Sequence, residues 1–163
     1  MNLSLLPSYL LDTETVVGLA RRMNPPELRK SACQIVDRLI GEGRILCPLE
    51  VLNELEYHNT SPGDEAVKWA KDRKHIFKDI TERQQECLAQ VLAQFPSSVK
   101  YDSDGYDADP ILVAMGMDLR WAVVTRDGIK DSPGMIRIHQ VCRHFGVDYK
   151  TDFEFLKENG WQI

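Results

Sequence analysis

Apolar residues along this chain fall into two patterns. Short, largely apolar runs, Tyr9-Leu10-Leu11, Arg44-Ile45-Leu46-Cys47 and Trp121-Ala122-Val123-Val124-Thr125, are too short for helices and read as buried strands. Between them, apolar positions recur at helical spacing. Leu28, Ala32, Ile35, Val36, Leu39 and Ile40 form such a stripe. It opens at Asn24-Pro25-Pro26, a helix-start signature, and closes at Gly41 and Gly43. A short helix begins near Thr15 and breaks at Arg21-Arg22. Pro48 opens a helix to about Tyr57, and Ser61-Pro62 opens one through Trp69 to about Phe77. Thr81 to Phe95 is a further helix, with Cys87, Leu88, Val91 and Leu92 on its apolar stripe. Val99-Lys100-Tyr101 reads as the third strand, followed by an acidic loop from Asp102 to Asp107. Asp109-Pro110 starts a helix. The tail gives a helix around Val141 to Phe145, a strand at Val147 to Tyr149 and a last helix from about Asp152 to Glu158.

Buried strands alternating with helices predict an α/β fold in three αβα layers, with a central parallel sheet of about five short strands. Residues 1–163 read as one domain, with a helical segment at 61–95 between the second and third strands. Open parallel sheets form their sites outside the carboxyl ends of the strands. That rule singles out Asp12 and Asp127, each at the end of an apolar run.

Charge then narrows the function. Asp and Glu number 25 against 20 Lys and Arg, a net charge of −5. A domain that grips polyanions by charge alone should be basic, so nucleic-acid chemistry here requires a bound cation or a local reversal of sign. The four cysteines form no C-x-x-C pair, which predicts reduced, buried thiols. His139, Cys142 and His144 are too irregular for a zinc site. Met1 to Pro7 lacks the basic region of a signal peptide, and no run reaches the roughly 18 apolar residues of a membrane span, so a cytoplasmic protein is expected.

Two more acids join the carboxyl edge: Asp109 starts a helix reached from the third strand, and the helix after the second strand offers Glu50, Glu54 and Glu56. Converging carboxylates repel one another, and a divalent metal relieves that repulsion. Oxygen donors favour Mg²⁺ or Mn²⁺ over zinc. Each acid alone also has a structural reading. Asp12 fits a helix cap, Asp109 before Pro110 an N-cap, and Asp127-Gly128 a turn.

In their order, these residues resemble the PIN domain, a metal-dependent ribonuclease fold. The matching segments are Tyr9-Leu10-Leu11-Asp12-Thr13, Val51-Leu52-Asn53-Glu54-Leu55, Ala108-Asp109-Pro110-Ile111-Leu112-Val113-Ala114 and Val123-Val124-Thr125-Arg126-Asp127. The Asp64–Phe95 stretch, Ile138 to Cys142 and Gly160-Trp161 resemble an uncharacterised bacterial PIN-like subfamily of unknown function. The resemblance implies an acidic pocket of Asp12, Glu54, Asp109 and Asp127 that holds Mg²⁺ or Mn²⁺ and hydrolyses RNA. In it, Thr125 supports the pocket and Thr13 orients a water. It further implies a toxin with a protein antitoxin as partner, and admits a homodimer. Glu14 stands where many relatives have a small polar residue. It either joins the metal shell or faces solvent. Asp102, Asp104 and Asp107 read as a solvated loop.

An RNA substrate needs cations outside the pocket. Arg126 and Lys130 beside Asp127, and Arg21 and Arg22, are the candidates, with Lys68, Lys71, Arg73 and Lys74 more simply a solvated helix face. Tyr101 and Tyr106 are candidates for base stacking, and Trp69 for core packing. Two rivals stand beside the nuclease. One is a non-catalytic PIN-like nucleic-acid-binding or scaffold protein. The other is an acid-rich phosphatase, weakened because Thr13-Glu14 follows Asp12 in place of a D-x-D pattern.

Overall fold

A computed structural model describes residues 5–59, 61–96, 107–126 and 136–162. Its framework is a five-stranded parallel sheet in the order β3-β2-β1-β4-β5, flanked by helices, as the alternating pattern predicts. The strands are β1 (Tyr9–Leu11), β2 (Ile45–Pro48), β3 (Phe77–Lys78), β4 (Ala122–Thr125) and β5 (Tyr149–Thr151). β1 lies at the centre, paired with β2 on one side and β4 on the other. All residues of β1 and β4 are buried, which is why both run apolar instead of alternating, up to Thr125 at the end of β4.

The helices are α1 (Thr13–Val17), α2 (Pro26–Gly41), α3 (Leu49–His58), α4 (Glu65–Asp72), α5 (Glu82–Gln94), α6 (Asp109–Leu119), α7 (Ile138–Phe145) and α8 (Asp152–Glu158). A π-helical turn, Gly18–Arg22, prolongs α1. The tertiary contacts set α6 against β1, β2 and β4, with α5 packed on α6. Thr81 starts α5 through a capping box with Gln84, satisfying two backbone N–H groups that the helix cannot.

The third strand is not where the pattern placed it. Val99–Tyr101 lies outside the described residues, and β3 is Phe77–Lys78, where the first of the two helices expected between strands two and three was to end. That helix stops earlier, at a C-cap formed by Arg73, which donates back to the Trp69 carbonyl at 3.1 Å. Its guanidinium lies 4.4 Å from the centre of the Trp69 ring and holds Asp37 of α2 at 2.7 Å. After a 3₁₀ turn at Lys74–Ile76, Phe77 pairs with Cys47. At the other edge, β5 begins at Tyr149, two residues later than the expected strand. Asn24 does not cap α2 with its side chain; it donates to the Arg22 carbonyl instead.

The last helix is tied to the first strand. The Tyr9 hydroxyl donates to Glu158, and Asn159 donates to the same hydroxyl at 3.0 Å. Burial and the Glu158 carboxylate push the Tyr9 phenol up to about 12, so it stays a donor. Trp161 donates to Ser31 on α2 at 2.8 Å.

Gly116 marks the tightest approach of α6 to the sheet. A Cβ there would stand 2.6 Å from Val147 and 3.3 Å from the Trp121 carbonyl. Gly116→Ala is therefore expected to destabilise the fold by about 1–3 kcal/mol, as overpacked cores do. Denaturant melts of the two proteins measure it, and an unchanged midpoint would show that the α6 contact is loose.

Candidate metal and nucleic-acid site

Asp12 follows β1 directly and begins α1. Its carboxylate accepts from the Thr15 N–H at 2.7 Å, so it is the N-cap of that helix, and only 6% of it is exposed. The Asp12 N–H in turn donates to the Val124 carbonyl at 3.1 Å, which carries the β1–β4 ladder one residue past the strand. The capping role foreseen for Asp12 therefore exists, and its carboxylate sits at the sheet's carboxyl edge.

Of the three acids on α3, Glu54 is the one that reaches this edge. One of its carboxylate oxygens accepts from the Thr13 hydroxyl, and the other accepts from the Ala108 N–H at 2.8 Å. Thr13 thus ties α3 to the residue next to Asp12, and Ala108 ties it to the start of α6. Burial raises the Glu54 pKa; the two hydrogen bonds pull it down, the neighbouring Asp107 pushes it up, and His58 on the next turn of α3 pulls it down. Glu56 is exposed, and Glu50, half-buried, has its pKa raised by burial with Asp79 as its charged neighbour.

Asp109 is the first residue of α6, but it is not the N-cap. Ala108 occupies that position, and Asp107 supplies the side chain, accepting from the Asp109 N–H at 3.1 Å. The Asp109 side chain lines a small cleft with Arg137, Ile138 and Val141 of the α7 region, and its charge acts on Cys142. Asp127 and Lys130 lie outside the described residues, as do Asp102, Asp104, Tyr101 and Tyr106. Among the described residues, no three His, Cys, Asp or Glu side chains stand close enough together to hold a metal ion. What the described residues do bring together is Asp12, Thr13, Glu54 and Asp107, with Asp109 joined to Asp107 through its backbone.

The donors available are oxygens. Cys47 lies beside Asp12 and Cys142 near Asp109, but burial, reinforced by those acids, pushes both thiols far up, Cys142 to about 12. Protonated thiols are poor ligands, so the set fits a hard divalent ion in kind.

The expected substrate cations already have partners. Arg21 bonds Asp64, the N-cap of α4, and donates to Asn59 at 3.0 Å. Arg22 pairs with Glu14 at 2.7 Å on the surface, which takes Glu14 to solvent. Arg126 pairs with Asp152 at 2.8 Å. Thr125 is buried at the end of β4, and Trp69 is core, as expected.

Two residues escaped the sequence reading. Asp107 was assigned to a solvated loop, yet it is half-buried and acts on both Glu54 and Asp109. Asp152 was read only as a helix start, although it follows β5 as Asp12 follows β1. The strand-end rule, applied once more, would have found it.

The sequence matches a family described as a domain of unknown function, DUF4411, over residues 9–163. The chain belongs to the DUF4411 family. Among solved structures, this DUF4411 chain is similar to FitAcB from Neisseria gonorrhoeae, with a TM-score of 0.55 and 18% identity over 89% of this chain and 98% of that one. It is also similar to FitAB solved on an IR36 DNA fragment, with a TM-score of 0.54 and 17% identity over 89% of this chain and 95% of that one. These likenesses support a PIN-like fold. No curated protein matches the sequence significantly. Among the described residues, no helix of this DUF4411 protein is long and apolar enough to cross a membrane.

The hydrogen bonds to Glu54 make a stability prediction. Glutamine can accept from the Ala108 N–H and donate to Thr13, so Glu54→Gln is expected to keep the metal-free fold as stable or more so. Glu54→Ala strands a half-buried N–H and is expected to cost about 1–3 kcal/mol. The pH dependence has a definite sign. A carboxyl raised in the fold stabilises it fully below the unfolded pKa, and that contribution is lost as pH rises through the folded value. Melting temperatures in chelator from about pH 4 to about pH 7 should therefore show the wild type losing stability relative to Glu54→Gln. A constant difference would remove the burial argument.

Proposed function

We propose that this protein is a metal-dependent endoribonuclease that hydrolyses RNA phosphodiester bonds, with Asp12, Glu54, Asp109 and Asp127 holding Mg²⁺ or Mn²⁺. The observation that carries this reading is Glu54. It is a half-buried carboxylate, held by a hydroxyl and a backbone N–H, with a second carboxylate beside it and Asp12 reached through Thr13. Burial and a like charge make such a group costly as a bare anion, and a cation relieves both costs.

When bound, a divalent ion supplies an activated water nucleophile and neutralises charge on the phosphate. The protein's own contribution is positional. Thr13 fixes the rotamer of Glu54, Ala108 holds its other oxygen, and the α1 cap fixes Asp12. Thr125 supports the edge from β4. The acids carry no attacking role, and most of the net charge of −5 is offset when ions bind.

The motifs' resemblance to the PIN family, together with the likeness to FitAcB and FitAB, supports a toxin whose activity a partner protein restrains. One observation favours a second reading, a PIN-like protein that binds nucleic acid without cutting it: among the described residues, no three His, Cys, Asp or Glu side chains stand close enough together to hold a metal ion.

The test is cleavage of structured and single-stranded RNA with Mg²⁺ or Mn²⁺, with and without chelator. Asparagine caps a helix as well as aspartate, so Asp12→Asn should leave the melting temperature nearly unchanged. It should also lower cleavage by more than the roughly 100-fold seen when only a ligand's supporting partner is lost. Asp127→Asn should do the same to cleavage. Activity that survives both substitutions sinks the assigned site. Thermal stabilisation by Mn²⁺ with no cleavage selects the binding-only reading, and turnover of an aryl phosphate alone selects a phosphatase.

A further inference from the structure

Gly18 opens the π-helical turn after α1, and nothing in its backbone asks for glycine. Its φ of −59° and ψ of −50° are ordinary right-handed helix, where alanine is the better residue. What excludes a side chain is Arg126. A Cβ on Gly18 would stand 2.6 Å from Nη1 and 3.2 Å from Cζ of that guanidinium. Asp152 holds the same group from the other side, its Oδ2 2.8 Å from Nε. The arrangement follows from register. Thr125 and Thr151 are partners across β4 and β5, so the residues after them, Arg126 and Asp152, emerge side by side at the carboxyl edge.

The pair is lopsided. The Asp152 side chain is 7% exposed and that of Arg126 is 32%. Asp152 spends one oxygen on Nε and the other on the Phe153 N–H at 2.9 Å. Among the described residues, no acceptor engages the Nη groups of Arg126, which are the two that grip a phosphate in a fork. Arg21 differs, because both its Nη atoms are committed to Asp64 and Asn59. Arg22 differs too: its ion pair is on the open surface, where such pairs hold little.

We propose that Arg126 is a phosphate-binding residue for RNA, with Asp152 as its positioning residue and Gly18 as the space it needs. The inference rests on the nuclease reading and supplies what that reading lacks, a fixed cation beside the acids. It also sets this cation against the π-helical turn that prolongs α1, a form often found at functional sites.

Binding is measured by fluorescence anisotropy of a labelled single-stranded RNA in chelator, so that neither cleavage nor metal enters, across a series of salt concentrations. Arg126→Gln should weaken binding by about tenfold or more and make the salt slope shallower by about 0.7, one phosphate contact fewer. Gly18→Ala should weaken binding while the melting temperature holds or rises, since only the far end of a flexible side chain must move. Asp152→Asn should weaken binding in the wild type and add nothing in the Arg126→Gln background. A purely structural ion pair predicts the opposite pattern: lower melting temperature in Arg126→Gln with wild-type affinity and slope. That result overturns the proposal and leaves the nuclease reading standing. Failure of the wild-type protein to bind RNA in chelator also overturns the proposal, and the cleavage assay with Mg²⁺ or Mn²⁺ then decides the nuclease reading separately.

Discussion

Hydrogen bonding on both sides of β1 sets the geometry of everything described above. The strand has three residues, all buried, with β2 and β4 as neighbours. Because pairing is parallel, the chain leaves all three strands in the same direction, and the groups that follow them share one edge. Asp12 follows β1, Glu54 lies one and a half turns into the helix after β2, and Arg126 follows β4. The Asp12 N–H bond to Val124 carries this register beyond the strand itself. A slip of one residue would break the Asp12 N–H bond to Val124 and turn the strand's side chains to the opposite face of the sheet.

The edge also shows what a count of charges leaves out. The acids here are not solvated surface groups. Asp12 is a cap, Glu54 is bonded at both oxygens, and Asp107 bonds the Asp109 N–H. Each is held by a hydrogen bond to the fold. Of the cations, Arg21 and Arg126 are held by Asp64 and Asp152, acids with little side-chain exposure, while Arg22 meets Glu14 on the open surface. The result is a local field whose sign the sum over the chain does not report.

The sheet was legible in the sequence because buried parallel strands are largely continuous apolar runs, and those of β1 and β4 end at polar residues. Asp12 was legible for the same reason, whereas Glu54 was separated from Glu50 and Glu56 only by the resemblance to the PIN motif. The place of β3 was not legible. Two residues carry no periodicity, and Phe77-Lys78 is a strand through its parallel pairing with Cys47 and Pro48, which no local pattern reports. Asp107 was hidden by composition, since an acidic segment looks solvated until the Glu54 side chain is placed beside it. The partners of Arg21 and Arg126 were hidden because they are 43 positions away in the first case and on a neighbouring strand's exit in the second. Local pattern sees strand ends; it does not see which strands are neighbours.

The tie between Tyr9 and Glu158 spans 149 positions, and it bears on synthesis. Residues leave the ribosome in order, so β1 emerges early and waits for β4 and then for α8. Until residues beyond 150 are made, β1 can already pair with β2 and β4, but its tyrosine lacks its acceptor. The tie that joins the first strand to α8 is therefore the last of the contacts around β1 to form.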